Sequence, residues 1–489
     1  MLSLFRKQPT FDLSALKRTA LYSLALLFAA HAFCFFNLTY SSGSVMLNVS
    51  SGRSAQIAAG QVLLPLYWRI RGSISSPLLV GMLSTLYLTL TNLVLVWLLR
   101  LSGPVSLFAL CGATTVNAAV LSICAASLHT ADAAFLALLL AALSCACCLR
   151  VRLGVFPGVL LLTGALAINP DACAFFAALT LIVMISDLLL SRDAKAFTAD
   201  ALRLVIVLTA AIVLYAAGYM LMLRRSDIEP SVSFRLFGGN LLQAYLAPIR
   251  AWLAPLTAYP ALSVILRGLL ALACAWAIIV LARRHGKTAA LVIACAAALP
   301  LCCGFTLLSA QAGAQAAPAY CLTDVLAIVL LSRLMPDRAA LRRGLCAVFA
   351  VLFMGVTVFS NQVYLKKNLE FESTHSLMSR VFARLERTEG YRPGLTPVAV
   401  VGTPEDSVFS VERKGFEHLD ALDAASGNYA IVSDTDMIWY TWEVMGYPLN
   451  FVSTFDLENI RETDDVRAMP AFPQEGCCAF IGDVLVIKL

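Results

Sequence analysis

Acidic residues are scarce in the long N-terminal part of this 489-residue chain, which holds only ten of its thirty Asp and Glu residues up to Gln362. The same part carries 25 Lys and Arg residues and is therefore strongly basic. Over the whole chain, 13% of residues are charged, 60% are hydrophobic, and the mean hydropathy is +0.81. Soluble globular proteins contain about a quarter charged residues. The composition therefore excludes that class and indicates a polytopic membrane protein.

From Val363 onward the composition changes to 11 basic and 20 acidic residues, as in an ordinary soluble domain. We therefore predict a membrane domain over residues 1–362 and a separate C-terminal domain over residues 363–489. The formal net charge of +6 sums a basic body and an acidic tail. It gives no indication of nucleic-acid binding.

Chemistry-bearing motifs are also missing. Thirteen of the fifteen cysteines lie in apolar segments, where cysteine acts as a small hydrophobic residue. The other two, Cys477 and Cys478, are adjacent, and adjacent cysteines rarely form a disulfide because its geometry is strained. The C-terminal domain contains no nucleotide loop, no His-rich metal pattern and no Ser-His-Asp arrangement. We assign no metal site and infer no required cofactor, and the use of a divalent metal stays open.

Long apolar runs are abundant instead. A transmembrane helix needs about twenty apolar residues, and runs of about that length predict eleven spans, at residues 20–36, 77–99, 105–126, 133–149, 153–168, 172–190, 202–223, 262–282, 288–309, 318–331 and 344–361. No small-residue cleavage site follows the first run, which predicts a retained span and not a removed signal peptide.

Basic residues cluster at alternate loops between these runs. Lys and Arg are enriched on the cytoplasmic side of membrane proteins, so the pattern predicts a cytoplasmic N-terminus. An odd number of spans then places the C-terminal domain outside the membrane. In that domain we predict a helix over 366–389, strands over 397–402, 429–433 and 484–489, and a hairpin at Gly482-Asp483. A structural or acceptor-docking role is favoured for it over catalysis.

The first external loop, residues 37–76, is long and contains no Asp or Glu. Apolar residues recur at helical spacing over 51–71, which predicts a helix lying in the membrane interface and interrupted at Pro65. Its cations are Arg53, Arg69 and Arg71. The helix is either a packing element above the bundle or one wall of a substrate groove.

Five acids of the body fall on the external side of the predicted topology: Asp132, Asp171, Asp227, Glu229 and Asp324. Asp132 and Asp171 directly precede predicted spans, where a carboxylate can simply cap the helix. His129 shares a helical face with Asp132, or is incidental. Asp227 and Glu229 follow Arg224 and Arg225 and can belong to a solvated loop. An acid at membrane depth, such as Asp324, usually has a partner or a role.

Several short motifs occur in an order similar to that of a known family. They are GQVLLPLY at 60–67, RGSISSP at 71–77, HTAD at 129–132, NQVY at 361–364, MPAFP at 469–473 and VIKL at 486–489. Together they span nearly the whole chain and resemble the bacterial O-antigen glucosyltransferase II family, membrane enzymes of the GT-C type.

This resemblance implies a GT-C-like, all-α membrane body and a function in the bacterial cytoplasmic membrane. A sugar, typically glucose, would pass from a polyprenyl-phosphate carrier to a surface glycan outside that membrane. The implied partners are the lipid-linked donor, the glycan acceptor and membrane lipid, with no nucleic acid. The expected substrate-binding residues are Arg53, Arg69, Arg71, His129, Arg224, Arg225 and Asp227, with Arg235 as a further cation near the phosphate.

GT-C enzymes carry their catalytic carboxylate in the first external loop, and this chain departs from that pattern. Either Asp132, the first candidate, or Asp171, the second, then acts as the general base. The alternative is a member of the same fold that binds glycan or lipid without turnover. A transporter is the third hypothesis, and it predicts ionisable pairs near the midplane and repeated halves. No convincing repeat is found in the sequence.

Overall fold

The computed structural model describes residues 12–38, 52–191, 194–308, 317–335, 339–422, 425 and 427–489. Within these ranges the body consists of helices α1 Leu13–Phe36, α2 Arg53–Ala58, α3 Leu64–Arg71, α4 Pro77–Leu99, α5 Pro104–Thr115, α6 Ala118–Ala126, α7 Leu128–Arg150, α8 Val155–Ile168, α9 Ala172–Ser191, α10 Ala194–Ser226, α11 Leu241–Leu253, α12 Pro260–Arg284, α13 Gly286–Cys303, α14 Leu322–Leu334 and α15 Ala339–Glu386. The tail adds α16 Asp434–Trp439, α17 Thr454–Arg461, α18 Asp464–Ala468 and strands β1 Pro397–Val401, β2 Asn450–Phe451, β3 Cys478–Ile481 and β4 Val484–Lys488.

Nine helices in the described part of the chain are long and apolar enough to cross a membrane, counting α5 and α6 together as one. They coincide with nine of the eleven predicted spans, and the polytopic helical body is thus confirmed. The other two predicted spans fall on α8, of 14 residues, and on α14, of 13 residues. Both are shorter than the usual range of about 17 to 25 residues, so the count of eleven stays a prediction.

Burial orders the helices of the body from centre to periphery. Every residue of α9 from Ala172 to Ser186 is buried, so this helix lies at the centre of the bundle. In α12 the buried residues are Ser263, Leu270, Ala277 and Leu281, which are seven or four positions apart and form one narrow stripe along the helix. One face of α12 therefore packs on the bundle, and its other faces suit lipid.

The third predicted span is interrupted where the sequence reads Asn117. The Asn117 side chain accepts hydrogen bonds from the N–H groups of Ala119 and Val120 at 2.9 and 3.1 Å, and so caps α6. Its amide nitrogen also donates to the carbonyl of Ala113 at 3.0 Å, at the end of α5. A single asparagine thus satisfies both helix ends inside an apolar run.

Residues predicted on the cytoplasmic side lie together at one end of the bundle. Arg150, at the end of α7, forms an ion pair with Asp187 of α9 at 2.5 Å. Its other amino group donates to the carbonyl of Leu98 at 2.7 Å, and Arg333 donates to the carbonyl of Arg100 at 3.1 Å. The first turns of α7 and α9 are at the opposite end. Which side of the membrane each end faces stays a prediction.

Helix α15 joins the two predicted domains without a break. Its 48 residues extend about 70 Å, more than twice the hydrocarbon core of a bilayer. The boundary predicted at Gln362 falls inside this helix, so the last predicted span and the predicted helix over 366–389 are one element. The tail packs on its C-terminal half through residues such as Leu377 and Phe382.

The tail contains a four-stranded sheet in the order β2-β1-β4-β3. Strand β1 is parallel to β2 and β4, while β3 and β4 form the predicted hairpin around Gly482-Asp483. The prediction of a strand at 429–433 is wrong. The N–H of Ala430 donates to Thr374 of α15 at 2.8 Å and not to a neighbouring strand.

Candidate functional site

The loop between α1 and α4, which is predicted to be the first external loop, docks on the body through hydrogen bonds of its backbone. Its residues 39–51 lie outside the described ranges, and the helix predicted over 51–71 is two helices, α2 and α3, with Pro65 in the first turn of α3. The N–H of Leu63 donates to the carbonyl of Ala167 at 2.8 Å, at the end of α8. The hydroxyl of Tyr215 donates to the carbonyl of Gly60 at 2.9 Å. These contacts hold the acid-free loop over the turn between α8 and α9.

Gly60 is required at this close approach. Its φ is +87°, in the left-handed region that favours glycine. A Cβ atom there would lie 2.6 Å from the Tyr215 hydroxyl and 2.7 Å from a methyl carbon of Leu308. The tight approach of loop to body depends on the missing side chain.

Asp132 lies one turn into α7 and is fully buried, with 0% of its side chain exposed. Its Oδ1 accepts a hydrogen bond from Arg71 Nη1 at 2.8 Å, and its Oδ2 accepts one from the Tyr67 hydroxyl at 2.7 Å. Both donors belong to α3. The first loop therefore has no acid of its own but supplies two donors to an acid of the body.

Arg71 is fixed by more than its ion pair. The same Nη1 donates to the carbonyl of His129 at 3.0 Å, and Nη2 donates to the hydroxyl of Ser75 at 2.8 Å. The arginine side chain is only 2% exposed. Because a buried charge pair is costly to separate, Arg71 and Asp132 act as a clamp between α3 and α7. We call Tyr67, Arg71 and Asp132 the loop clamp.

His129 lies beside this clamp, with its ring 6.3 Å from the ring of Trp68. His129 Nδ1 and Trp68 Nε1 are buried and have no hydrogen-bond partner among the residues described. Both residues border the contact between α3 and the start of α7. His129 and Asp132 therefore both lie near the start of α7, where Arg71 contacts each of them.

Asp171 contrasts with Asp132 in its surroundings. It is half-buried in the turn between α8 and α9, and its backbone N–H donates to Asn169 Oδ1 at 3.1 Å. No described residue forms a hydrogen bond or ion pair with its carboxylate. Burial without a compensating partner raises the pKa of Asp171 to about 6. A carboxyl with such a pKa suits a general base near neutral pH.

Five of the predicted cations are exposed, namely Arg53, Arg69, Arg224, Arg225 and Arg235. Helix α2, which begins at Arg53, packs against the end of α10, where Arg224 and Arg225 lie. Arg69 lies on α3 beside the exposed apolar residues Leu66, 52% exposed, and Ile70, 80% exposed. This side of α3 has the composition of an interfacial helix.

Asp227 is also exposed and lies just past the end of α10, in the left-handed region with φ of 49°. No described residue forms an ion pair with its carboxylate. The structure therefore brings together Arg71, His129 and Asp132, while Asp227 stays apart from that group.

A second polar group lies around Asp324 in the first turn of α14. Asp324 Oδ1 accepts from Trp252 Nε1 at 2.8 Å, and Oδ2 lies 3.8 Å from Arg267 Nη2. Arg267 also donates through Nη1 to the carbonyl of Trp252, and its guanidinium lies 5.7 Å from the centre of that indole ring. These three residues line a cavity of about 50 Å³ together with Asn117 and Tyr320.

Arg267 and Trp252 were not among the residues predicted from the sequence. Arg267 is the single charged residue in the apolar run 262–282. A charge at membrane depth usually has a partner or a role, and this rule would have selected Arg267 as it selected Asp324. Nothing in the sequence around Trp252 distinguishes it from an ordinary interfacial tryptophan.

The described residues contain no group of three or more His, Cys, Asp or Glu side chains arranged to hold a metal ion.

Comparison with protein-family models, with curated proteins and with solved structures gives no match. The resemblance to a glucosyltransferase family therefore rests on the short motifs and their order.

Proposed function

We propose that this protein is a membrane glycosyltransferase that moves a sugar, with glucose the first candidate, from a polyprenyl-phosphate carrier to a glycan. The proposal places Asp171 as the general base. One observation carries it: the turn that holds Asp171 lies under the first external loop, which is where a GT-C-like enzyme needs a carboxylate and where the loop itself has none.

In this proposal Asp171 replaces Asp132 as the first candidate for the general base. Both carboxylate oxygens of Asp132 already accept hydrogen bonds from the loop clamp, and its side chain is sealed from solvent. A base must accept a proton from substrate within about 3 Å, which Asp132 can do only after the clamp opens. Asp171 has a free carboxylate and a pKa near neutrality. We therefore assign Asp132 a positioning role and Asp171 the catalytic role.

The proposed reaction needs few groups. The acceptor hydroxyl attacks the anomeric carbon of the donor sugar and forms the new C–O bond. The bond between that carbon and the phosphate oxygen breaks, and the polyprenyl phosphate leaves with the electron pair. The hydroxyl proton passes to the Asp171 carboxylate.

The leaving phosphate needs cations at the level of the lipid headgroups. Arg69 is exposed on α3 beside apolar residues that suit lipid contact, and Arg53, Arg224 and Arg225 are exposed where α2 meets the end of α10. Arg71 is excluded from this role by its enclosure in the loop clamp.

The alternative is a protein of the same fold that binds carrier lipid or glycan without turnover. The enclosure of Asp132 favours it, since a carboxylate with both oxygens engaged is a structural element. The two functions differ in one measurable product, the free polyprenyl phosphate.

The test uses the purified full chain in proteoliposomes with a polyprenyl-phosphate hexose and extracted surface glycan. The proposal expects free polyprenyl phosphate and a hexose-extended glycan, and no product from a nucleotide sugar. Saturable binding of the donor with no release of polyprenyl phosphate, across a panel of hexoses and glycans, would support the non-catalytic alternative.

A further inference from the structure

The cavity beside Asp324 has features of a binding site that the proposed reaction has not used. It lies where α6, α11, α12 and the turn Pro318–Cys321 meet, and several alanines keep its walls open. Its polar lining comes from Asn117, Trp252, Arg267, Tyr320 and Asp324. A mainly apolar wall with a few fixed polar groups is typical of small-molecule sites.

The charge of the lining points to a neutral ligand. Arg267 and Asp324 are the two charged residues among the residues that line the cavity, and their charges oppose each other at 3.8 Å. An anionic group entering near Arg267 would also approach the Asp324 carboxylate and be repelled. A cationic group entering near Asp324 would likewise approach the Arg267 guanidinium and be repelled.

Unused hydrogen-bonding capacity remains on both sides of the cavity. Arg267 Nε is buried and has no partner in the described part of the chain. The Tyr320 hydroxyl likewise forms no hydrogen bond with a described residue, and Asp324 has further lone pairs to offer. Hydroxyl groups both donate and accept, so they match this mixed set of donors and acceptors.

The size of the cavity limits what can enter. A volume of about 50 Å³ holds roughly three to five waters. That space takes two or three hydroxyl groups at the edge of a sugar ring but not a whole ring. The indole of Trp252 adds an apolar surface of the kind that contacts the C–H groups of sugars.

Asp171 lies close to this cavity. The turn Pro318–Cys321 packs against α9, the helix that begins directly after Asp171. The Asp171 carboxylate also lies within electrostatic reach of the Tyr320 hydroxyl. A sugar edge held by Tyr320 would therefore lie near the proposed base.

We infer that the cavity formed by Trp252, Arg267, Tyr320 and Asp324 binds the edge of a neutral sugar through its hydroxyl groups. Its assignment to the acceptor, and not to an independent sugar ligand, rests on the proposed function. Arg267 and Asp324 orient the sugar, and Tyr320 contributes a hydrogen bond on the side toward Asp171.

Tyr320→Phe is the cleanest variant, because the hydroxyl it removes has no partner within the described ranges and its loss leaves no group of the fold unpaired. Asp324→Asn is the second variant. Tyr259→Phe serves as matched control, since Tyr259 is 49% exposed and does not line the cavity. Binding of methyl glucoside to the full chain in sugar-free lipid nanodiscs is measured by saturation-transfer NMR.

Wild type and Tyr259→Phe should bind methyl glucoside equally, and Tyr320→Phe about two- to tenfold more weakly, the loss expected for one hydrogen bond. Inorganic phosphate should not compete. No binding by wild type, equal binding by Tyr320→Phe, or displacement by phosphate would overturn the inference. If binding is absent while polyprenyl phosphate is still released, the cavity assignment fails and the proposed function stands. If binding depends on Tyr320 but no donor reacts, the sugar site stands and its assignment to an acceptor fails.

Discussion

Asp132→Asn should destabilise the protein, whereas Asp171→Asn should stabilise it. Asp132→Asn leaves the guanidinium of Arg71 uncompensated, although its side chain is only 2% exposed. Breaking a buried ion pair by removing one partner costs about 3 to 5 kcal/mol. Since the amide oxygen of Asn can still accept one hydrogen bond, we expect a loss near the lower end, about 3 kcal/mol.

Asp171→Asn should stabilise the protein at neutral pH. The pKa of Asp171 rises from its ordinary value of 3.8 to about 6, so the charged form is disfavoured in the folded state. This difference corresponds to about 3 kcal/mol of folding free energy. Because solvent screens the half-buried side chain, we expect a smaller effect of roughly 2 kcal/mol. The stability contributed by the protonated carboxyl is fully present below pH 3.8 and is lost as the pH rises through about 6. The gain from Asn should therefore vanish in acid.

The assay is thermal unfolding of the full chain in nanodiscs at a fixed heating rate, because membrane proteins commonly unfold irreversibly. Asp227→Asn, at an exposed position, is the control and should stay within about 0.5 kcal/mol of wild type. Arg71→Gln combined with Asp132→Asn should recover part of the single-variant loss, because no charge is then left unpaired. An unchanged midpoint for Asp132→Asn, or a lower one for Asp171→Asn at neutral pH, would refute the reasoning.

Three further outcomes are expected. The transfer rate should rise with pH and level off above about pH 6, because the base must lose its proton, and Asp171→Asn should remove that inflection from initial-rate profiles. Gly60→Ala should lower the unfolding midpoint by the equivalent of about 2 kcal/mol through its positive φ and crowded Cβ, while Gly164→Ala, with open space at its Cβ, should not lower it. Glu370→Gln should cost about 3 kcal/mol because it leaves the buried Lys367 without its carboxylate, while Lys366 keeps its ion pair with Asp420; Glu372→Gln at an exposed position should be nearly neutral, and equal midpoints would contradict this expectation.

The helical body could be predicted because a bilayer demands long apolar runs, and hydropathy measures them directly. The interruption at Asn117 could not, since averaging over an apolar run hides one polar residue whose side chain caps a helix. The continuity of α15 could not be predicted either. A change of composition at Gln362 marks a change of environment, but a helix can cross that change without ending.

The candidate site could be predicted in its residue types but not in its pairing. Arg71 and Asp132 are 61 positions apart, and one sequence gives no sign that the arginine binds the acid and not a phosphate. Arg267 could have been found from its isolation in an apolar run. The contact of Gly60 with Tyr215 depends on the packing of α10 against the first loop, which local sequence does not encode.

Asp171 is proposed to be the general base of a sugar transfer. Single-turnover rates from a polyprenyl-phosphate hexose, measured in proteoliposomes for Asp171→Asn beside the matched control Asp464→Asn, an exposed residue of α18 in the tail, test it most directly. A positioned general base contributes about 10²- to 10⁴-fold, so Asp171→Asn should lose that factor with donor binding intact, and Asp464→Asn should react like wild type. Transfer by Asp171→Asn at the wild-type rate would contradict the claim.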